Sequence, residues 1–271
     1  MPKCATDNRP YPSSPGLTGA HKNKIVGSIA VYKSLSISAL CLLAVTAHAS
    51  STNVPGMANP WLAGMPDGSA IIFENTTDTA PAQSPTLVSG LSLASGAVRF
   101  SDASGGVHNG PLCPGTCFGP DGRTFQGNDF VKHDGGAVNG IAGVWAPMNA
   151  LMGVFLDDTQ PDLLTAPAGL DFRTIGLDFL SLAPTLRQVF FIGDGFTSGG
   201  TQQEFLVPVG ATRLYLGTMD GFGWANNSGA FNVFVSDSKI STVPVPAAGW
   251  LLGSALGMLG LGSRKRKQDR G

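Results

Sequence analysis

The sequence predicts an all-β fold, an antiparallel β-sandwich built as one domain. Three observations carry this. Short apolar runs alternate with polar residues at a period of two. Gly-rich turns separate those runs at short intervals. No long amphipathic helix appears in the body of the chain.

Along the chain, the early strands are Ala70-Ile-Ile-Phe-Glu74 and Ala97-Val-Arg-Phe100. Met148-Asn-Ala-Leu-Met152 is the one segment with a helical reading, a single turn. Gly169-Leu-Asp-Phe172 and Gly176-Leu-Asp-Phe179 form a near-repeat too short for a solenoid unit, read as coincidence or as two adjacent short strands. Gln188-Val-Phe-Phe-Ile-Gly193 and Glu204-Phe-Leu-Val207 are further strands. Thr212-Arg-Leu-Tyr-Leu-Gly217 places Leu214 and Leu216 on one face, and Ala230-Phe-Asn-Val-Phe-Val-Ser236 does the same with Phe231, Val233 and Val235. Gly193-Asp-Gly195, Gly199-Gly200 and Gly221-Phe-Gly223 supply turns.

Composition narrows the function classes. The 271 residues carry a formal net charge of −1, only 13% are charged, and 37 are glycine. A nucleic-acid binder needs a clustered basic face. The one dense basic run, Arg264-Lys265-Arg266-Lys267, instead follows an apolar stretch near the end. A near-neutral body rich in Gly, Ser, Thr and Asn suits an extracellular β protein.

Both ends read as address segments. Residues 31–49 read as a signal peptide: Lys33, an apolar run, then Ala47-His48-Ala49, with cleavage expected after Ala49. Residues 1–30 carry several prolines and no periodicity, and read as an extension ahead of a true start near Val26 or Val31. The body is expected over 50–237 and a tail over 238–271. In the tail, Val243-Pro244-Val245-Pro246-Ala247 leads into an apolar segment, 247–262, and a basic stop at 264–267. About 16 apolar residues span roughly 24 Å at ~1.5 Å per residue, just short of a usual membrane span. The basic cluster would stay in the cytoplasm and hold the body outside. A plain C-terminal membrane anchor is the simpler reading.

The tail resembles the PEP-CTERM sorting signal in its Val-Pro-x-Pro-Ala form, with all three parts in order. Val245 stands where that pattern often has Glu. The resemblance implies an exported protein of an exopolysaccharide-making bacterium, held transiently in the inner membrane, processed near the motif by an exosortase-type transpeptidase, and released to the cell surface or matrix.

Catalytic motifs are scarce in the body. There is no Gly-x-Ser-x-Gly elbow and no His-Glu-x-x-His. His108 and His133 sit among Gly, Asp and Asn and read as loop residues, so the expectation is not an enzyme. Asp157, Asp158 and Asp162 form an acidic cluster without calcium-loop spacing and read as a solvated loop. Cys113-Pro-Gly-Thr-Cys117 is a tight turn that either closes a small disulfide or keeps two free thiols; a zinc site would need two more ligands, and only His108 is near.

The informative stretch runs from Pro208 to Val233 and contains Asp220-Gly-Phe-Gly-Trp-Ala-Asn226-Asn227-Ser-Gly-Ala-Phe231. Calcium takes six to eight oxygens from carboxylates, amides and carbonyls, and Asp220, Asn226 and Asn227 offer that chemistry on one loop. The plain alternative is an ordinary hairpin turn at Asn-Asn-Ser-Gly.

This stretch looks like the C-terminal part of the galactophilic, calcium-dependent bacterial lectins of the PA-IL type, which have a jelly-roll-like β-sandwich. The resemblance implies calcium at Asp220, Asn226 and Asn227, with a loop carbonyl near Gly223 or Trp224, and a galactoside-like sugar or extracellular polysaccharide as partner. Trp224 would pack on an apolar sugar face. Gly96-Ala-Val-Arg-Phe100 matches a strand whose aromatic carbonyl also ligates, Gly119-Pro-Asp-Gly122 a loop beside the sugar, and Ala150–Phe155 an internal strand. A structural matrix protein, with calcium only bracing the loop, remains the alternative.

Overall fold

The computed structural model describes residues 49–111, 117–123 and 129–237. The signal segment before Ala49, the 1–30 extension, Cys113, and the whole tail with its 243–247 motif lie outside the described residues. Among the described residues no helix is long and apolar enough to cross a membrane.

The described body is all-β, and its only α-helix is the four-residue Phe172–Ile175. In chain order the strands are β1 (Ala49–Pro55), β2 (Ala70–Phe73), β3 (Thr76–Thr79), β4 (Thr86–Leu87), β5 (Ala97–His108), β6 (Phe130–Lys132) and β7 (Val144–Pro147). They continue with β8 (Leu151–Leu156), β9 (Leu170–Asp171), β10 (Ser181–Leu182), β11 (Val189–Phe191), β12 (Glu204–Leu206), β13 (Arg213–Thr218) and β14 (Ser228–Ser236). A five-stranded sheet runs β1-β14-β5-β12-β10 and a four-stranded sheet β11-β8-β13-β4. Two small sheets, β2-β3 and β6-β7-β9, complete the set. Most pairs are antiparallel, but β10–β12 and β7–β9 are parallel, so the expectation of a purely antiparallel fold is corrected.

The period-two reading holds where one strand face is wet. In β14, Phe231, Val233 and Val235 are buried and Asn232 and Phe234 are exposed; in β13, Leu214 and Leu216 point inward. Both sets join one apolar core that also takes Phe100, Phe155, Phe190 and Phe205. Phe190 of β11 and Phe205 of β12 meet at 5.5 Å between ring centroids, so the two larger sheets share that core.

Two local readings change and a third gains burial. The helical turn at Met148–Met152 is instead a tight turn, with Asn149 at φ 66°, that feeds β8. The two copies of Gly-Leu-Asp-Phe do not form adjacent strands: the first supplies β9, the second an irregular segment, and their Phe172 and Phe179 rings pack at 6.1 Å. His133 is a loop residue, as expected, just after β6, but a buried one. It is 2% exposed and stacks on Trp61 at 3.7 Å.

Candidate functional site

β13 belongs to the four-stranded sheet and β14 to the five-stranded one, so the 219–227 loop crosses between sheets and is not a hairpin. Its fixed points come from three neighbours. Asn149 N donates to Met219 O (2.7 Å) and Met219 N to Ala150 O (2.9 Å), which ties the loop's start to the turn before β8. Asp134 N donates to Gly221 O (3.0 Å). At the far side, Trp224 N and Ala225 N donate to the two oxygens of Asp78 (3.1 and 2.9 Å), and Asn59 Nδ2 donates to Asp78 Oδ2 (3.1 Å). The chain turns through Gly223 at φ 75°, where a Cβ would lie 2.9 Å from the Thr76 methyl; both facts call for glycine.

Asp220 is 6% exposed. Its Oδ1 accepts from Gly221 N at 2.6 Å, and the Asn227 side-chain amide lies within hydrogen-bonding reach of its carboxylate. Burial nevertheless dominates and pushes the Asp220 carboxyl up to about 6, with the Asp78 charge adding to the rise. Asn227 is also buried. Its Nδ2 donates to Gly56 O (3.3 Å), while its Oδ1 is buried with no partner. Asn226 is exposed and faces the same cleft as Asp220.

That cleft has a volume of about 360 Å³. Asp220, Asp134, Asn226 and Asn109 bring it oxygen atoms, Lys132 a cation, and Trp145 and Phe222 apolar walls. Arg173, held by Asp171 through Nε (2.9 Å) and Nη2 (2.6 Å), lies 3.6 Å over the Trp145 ring and fixes it from one side. Among the described residues no three His, Cys, Asp or Glu side chains converge as a metal group, so a cation here would rest on two carboxylates with amide and carbonyl oxygens.

The structure brings Asp220, Asn226 and Asn227 onto one loop but does not bring the other expected contributors to it. Trp224 is 1% exposed, and its Nε1 donates to Thr218 O (2.9 Å). Its ring packs on Trp61 (5.5 Å) and His133 (5.8 Å), so it is a core residue and cannot face a sugar. Phe100 pairs with Val235 while His108 pairs with Ser228 beside the loop. At about 3.3 Å per residue, Phe100 is roughly 25 Å along β5 from that end. The Phe100 carbonyl instead accepts from Gln202 Nε2 (3.1 Å). Asp121 of the Gly119–Gly122 loop lines a different cleft. Of the cysteine pair, Cys117 is disulfide-bonded, and its expected partner Cys113 lies outside the described residues. The acidic 157–162 segment is an outer loop whose Asp158 accepts from Thr212 Oγ1 (2.6 Å) and whose Asp162 accepts from Gln160 Nε2 (2.7 Å).

Sequence reasoning missed Asp78, Asp134 and Trp145. Asp78 sits inside Thr76-Thr-Asp-Thr79, which carries no motif; only its position in a hairpin opposite the loop makes it a brace. Asp134 lies in Lys132-His-Asp-Gly-Gly136, a turn-like run that could have been weighed as a loop carboxylate. No family model, no curated protein and no solved structure matches this chain.

Proposed function

We propose that the protein is an exported cell-surface or matrix protein whose jelly-roll-like β-sandwich binds calcium, and through it a sugar, at the 219–227 loop. The observation that carries this reading is a buried carboxylate, Asp220, whose three donors do not offset its burial, beside a buried amide oxygen, Asn227 Oδ1, without a donor. Turning the Asn227 amide over would aim that oxygen at the Asp220 carboxylate and at Gly56 O. Three acceptors facing one another are stable only around a cation. Asp220, Asn227, Asn226 and Asp134 would then hold the ion, and calcium suits an all-oxygen set with room left for two vicinal hydroxyls. Trp145 and Phe222 replace Trp224 as the apolar surface for a sugar ring. Because its oxygens line an open cleft, the loop favours ligand binding over a purely bracing role for calcium.

Export, processing by an exosortase-type transpeptidase and delivery to an exopolysaccharide-rich surface rest on the tail's Val243–Ala247 motif, apolar segment and basic stop. A protein delivered there meets polysaccharide at high local density, where weak single sites gain avidity. Isothermal titration of the whole chain with galactosides and with native polysaccharide, with calcium and with chelator, tests the reading. Sugar binding that needs calcium is expected. Calcium binding without any sugar binding would favour the structural matrix protein, and absence of both would end the proposal.

A further inference from the structure

A smaller cleft, about 160 Å³ in volume, lies beside the β2-β3 hairpin. Among the described residues it shares only Phe222 with the Asp220 cleft. Its walls are Ile71 and Phe73 of β2, Val138 and Phe222, and the Phe73 and Phe222 rings meet at 5.5 Å. Two of its apolar lining residues reach solvent: Ile72 is 74% and Phe222 39% exposed. His133, only 2% exposed, lines it from within. Gly135 keeps that lining open, since a Cβ there would lie 3.1 Å from His133 Cε1 and 3.0 Å from Val138 Cγ2.

The surroundings of that histidine fix what it can do. Nδ1 lies 2.7 Å from Gly136 O, and a carbonyl oxygen only accepts, so Nδ1 carries the proton. Burial holds the ring neutral. Nε2 therefore keeps a lone pair and acts as an acceptor. One face of the ring is spent on Trp61 at 3.7 Å. Among the described residues no donor reaches Nε2. The other side-chain polar groups of the cleft are engaged. Thr76 Oγ1 donates to Phe73 O (2.8 Å), and Asp78 accepts from Asn59 Nδ2, Trp224 N and Ala225 N. The cleft is thus an apolar space with one open, buried acceptor.

We infer that this cleft binds a small phenol, with the ring between Phe73 and Phe222 and the hydroxyl donating to His133 Nε2. The volume suits one ring, since an apolar cavity of about 150 Å³ takes up benzene. Phenyl walls favour an aromatic guest, and a phenol stays protonated at neutral pH, so its O–H is a donor there. A sugar fits badly, because most of its hydroxyls would be stranded against apolar side chains. Water fits badly too, because a buried water takes about three polar partners. A metal ion would need more than one imidazole. The inference does not depend on calcium at Asp220.

The test is titration of the whole chain, in chelator so that a calcium site is silent, with para-cresol and with toluene. The imidazole nitrogen resonances are followed alongside. In the unmodified chain para-cresol is expected to move the His133 Nε2 resonance in the direction of a lone pair accepting a hydrogen bond, and toluene is not. His133→Phe keeps a ring on Trp61 but removes the acceptor. It should cut the preference for para-cresol over toluene about tenfold, and melting curves check that it folds. Absence of para-cresol binding, binding that leaves the Nε2 resonance in place, or an unchanged preference in a folded His133→Phe would overturn the inference. So would displacement of para-cresol by a galactoside, which would give the cleft to the sugar. Binding of a tyrosine-bearing peptide without para-cresol binding would also overturn it and make the cleft a docking site for a protein segment.

Discussion

Two buried carboxylates meet the 219–227 loop from opposite sides. Asp78 comes from the β2-β3 hairpin and accepts three donors: Asn59 Nδ2, Trp224 N and Ala225 N. Asp220 comes from the loop itself, accepts from Gly221 N, Phe222 N and the Asn227 amide, and is still pushed up to about 6 by burial. Burial alone does not distinguish them, since Asp78 is 2% and Asp220 6% exposed. Where the donors come from does: those of Asp220 all lie on its own loop, whereas those of Asp78 come from the 59 and 224–225 segments. A carboxylate that ties separate segments together is a brace, whereas a buried one bonded only within its own loop, on the wall of a cleft, can meet a positive partner. The same loop is thus pinned at one side and left chemically open at the other.

The largest test of that contrast removes the brace. Asp78→Ala strands three donors, two of them backbone N–H groups, and should cost roughly 3–5 kcal/mol of unfolding free energy. Urea denaturation reads it, and a loss under about 1 kcal/mol would mean the donors find other partners. Next come the two tryptophans. Trp224→Ala opens the core against Trp61 and His133 and should cost about 3–5 kcal/mol. Trp145→Ala should cost far less stability while weakening sugar binding about tenfold or more. The reverse ranking would return the sugar-facing role to Trp224.

Acid sharpens the comparison. Burial lowers His133 from 6.5 to about 4. The unfolded chain therefore binds a proton that the folded chain refuses, and stability present above pH 6.5 is lost as pH falls toward 4, by roughly 3 kcal/mol. Asp220 has the opposite sign. Its folded value of about 6 exceeds the ordinary 3.8, so its contribution is fully present below 3.8 and lost as pH rises through 6. The two partly offset each other between pH 4 and 6. In Asp220→Asn the His133 loss should stand alone, and the acid-side fall in stability should steepen; an unchanged slope would contradict the assignment to Asp220. The smallest effect belongs to exposed Asn226. Asn226→Ala should leave stability within about 0.5 kcal/mol while reducing calcium affinity, as read by titration calorimetry.

How much of this was legible in the residues depended on whether a signal was local. Strands with one wet face, such as β13 and β14, announce themselves by alternation. β8 does not, because all six of its residues are buried and Leu-Met-Gly-Val-Phe-Leu has no period. Gly153 within it looks like a breaker, but a Cβ there would lie 2.5 Å from the Phe190 ring, so close packing explains it. The loop that carries Asp220, Asn226 and Asn227 could be picked out because the three lie within one short stretch of sequence. Asp78, Asp134 and Trp145 could not, because they reach the site from three other segments. His133 lies in the loop that Asp134 and Gly135 announce, but its burial was not legible for the same reason: the two tryptophans that cover it are distant in sequence. The resemblance through Phe100 failed on register, since β5 runs on to His108 and carries Phe100 away from the loop.

The most direct measurement of the central claim is the thermal unfolding midpoint of the whole chain at neutral pH, with calcium and with chelator, for the unmodified protein and for Asp220→Asn. If Asp220 is a buried charge held for a cation, the substitution should stabilise the calcium-free protein by about 1–3 kcal/mol, since the shift it removes is unfavourable at that pH. Calcium should raise the midpoint of the unmodified protein and leave that of Asp220→Asn unchanged. An unmodified protein indifferent to calcium, or a variant that responds equally, would contradict the account.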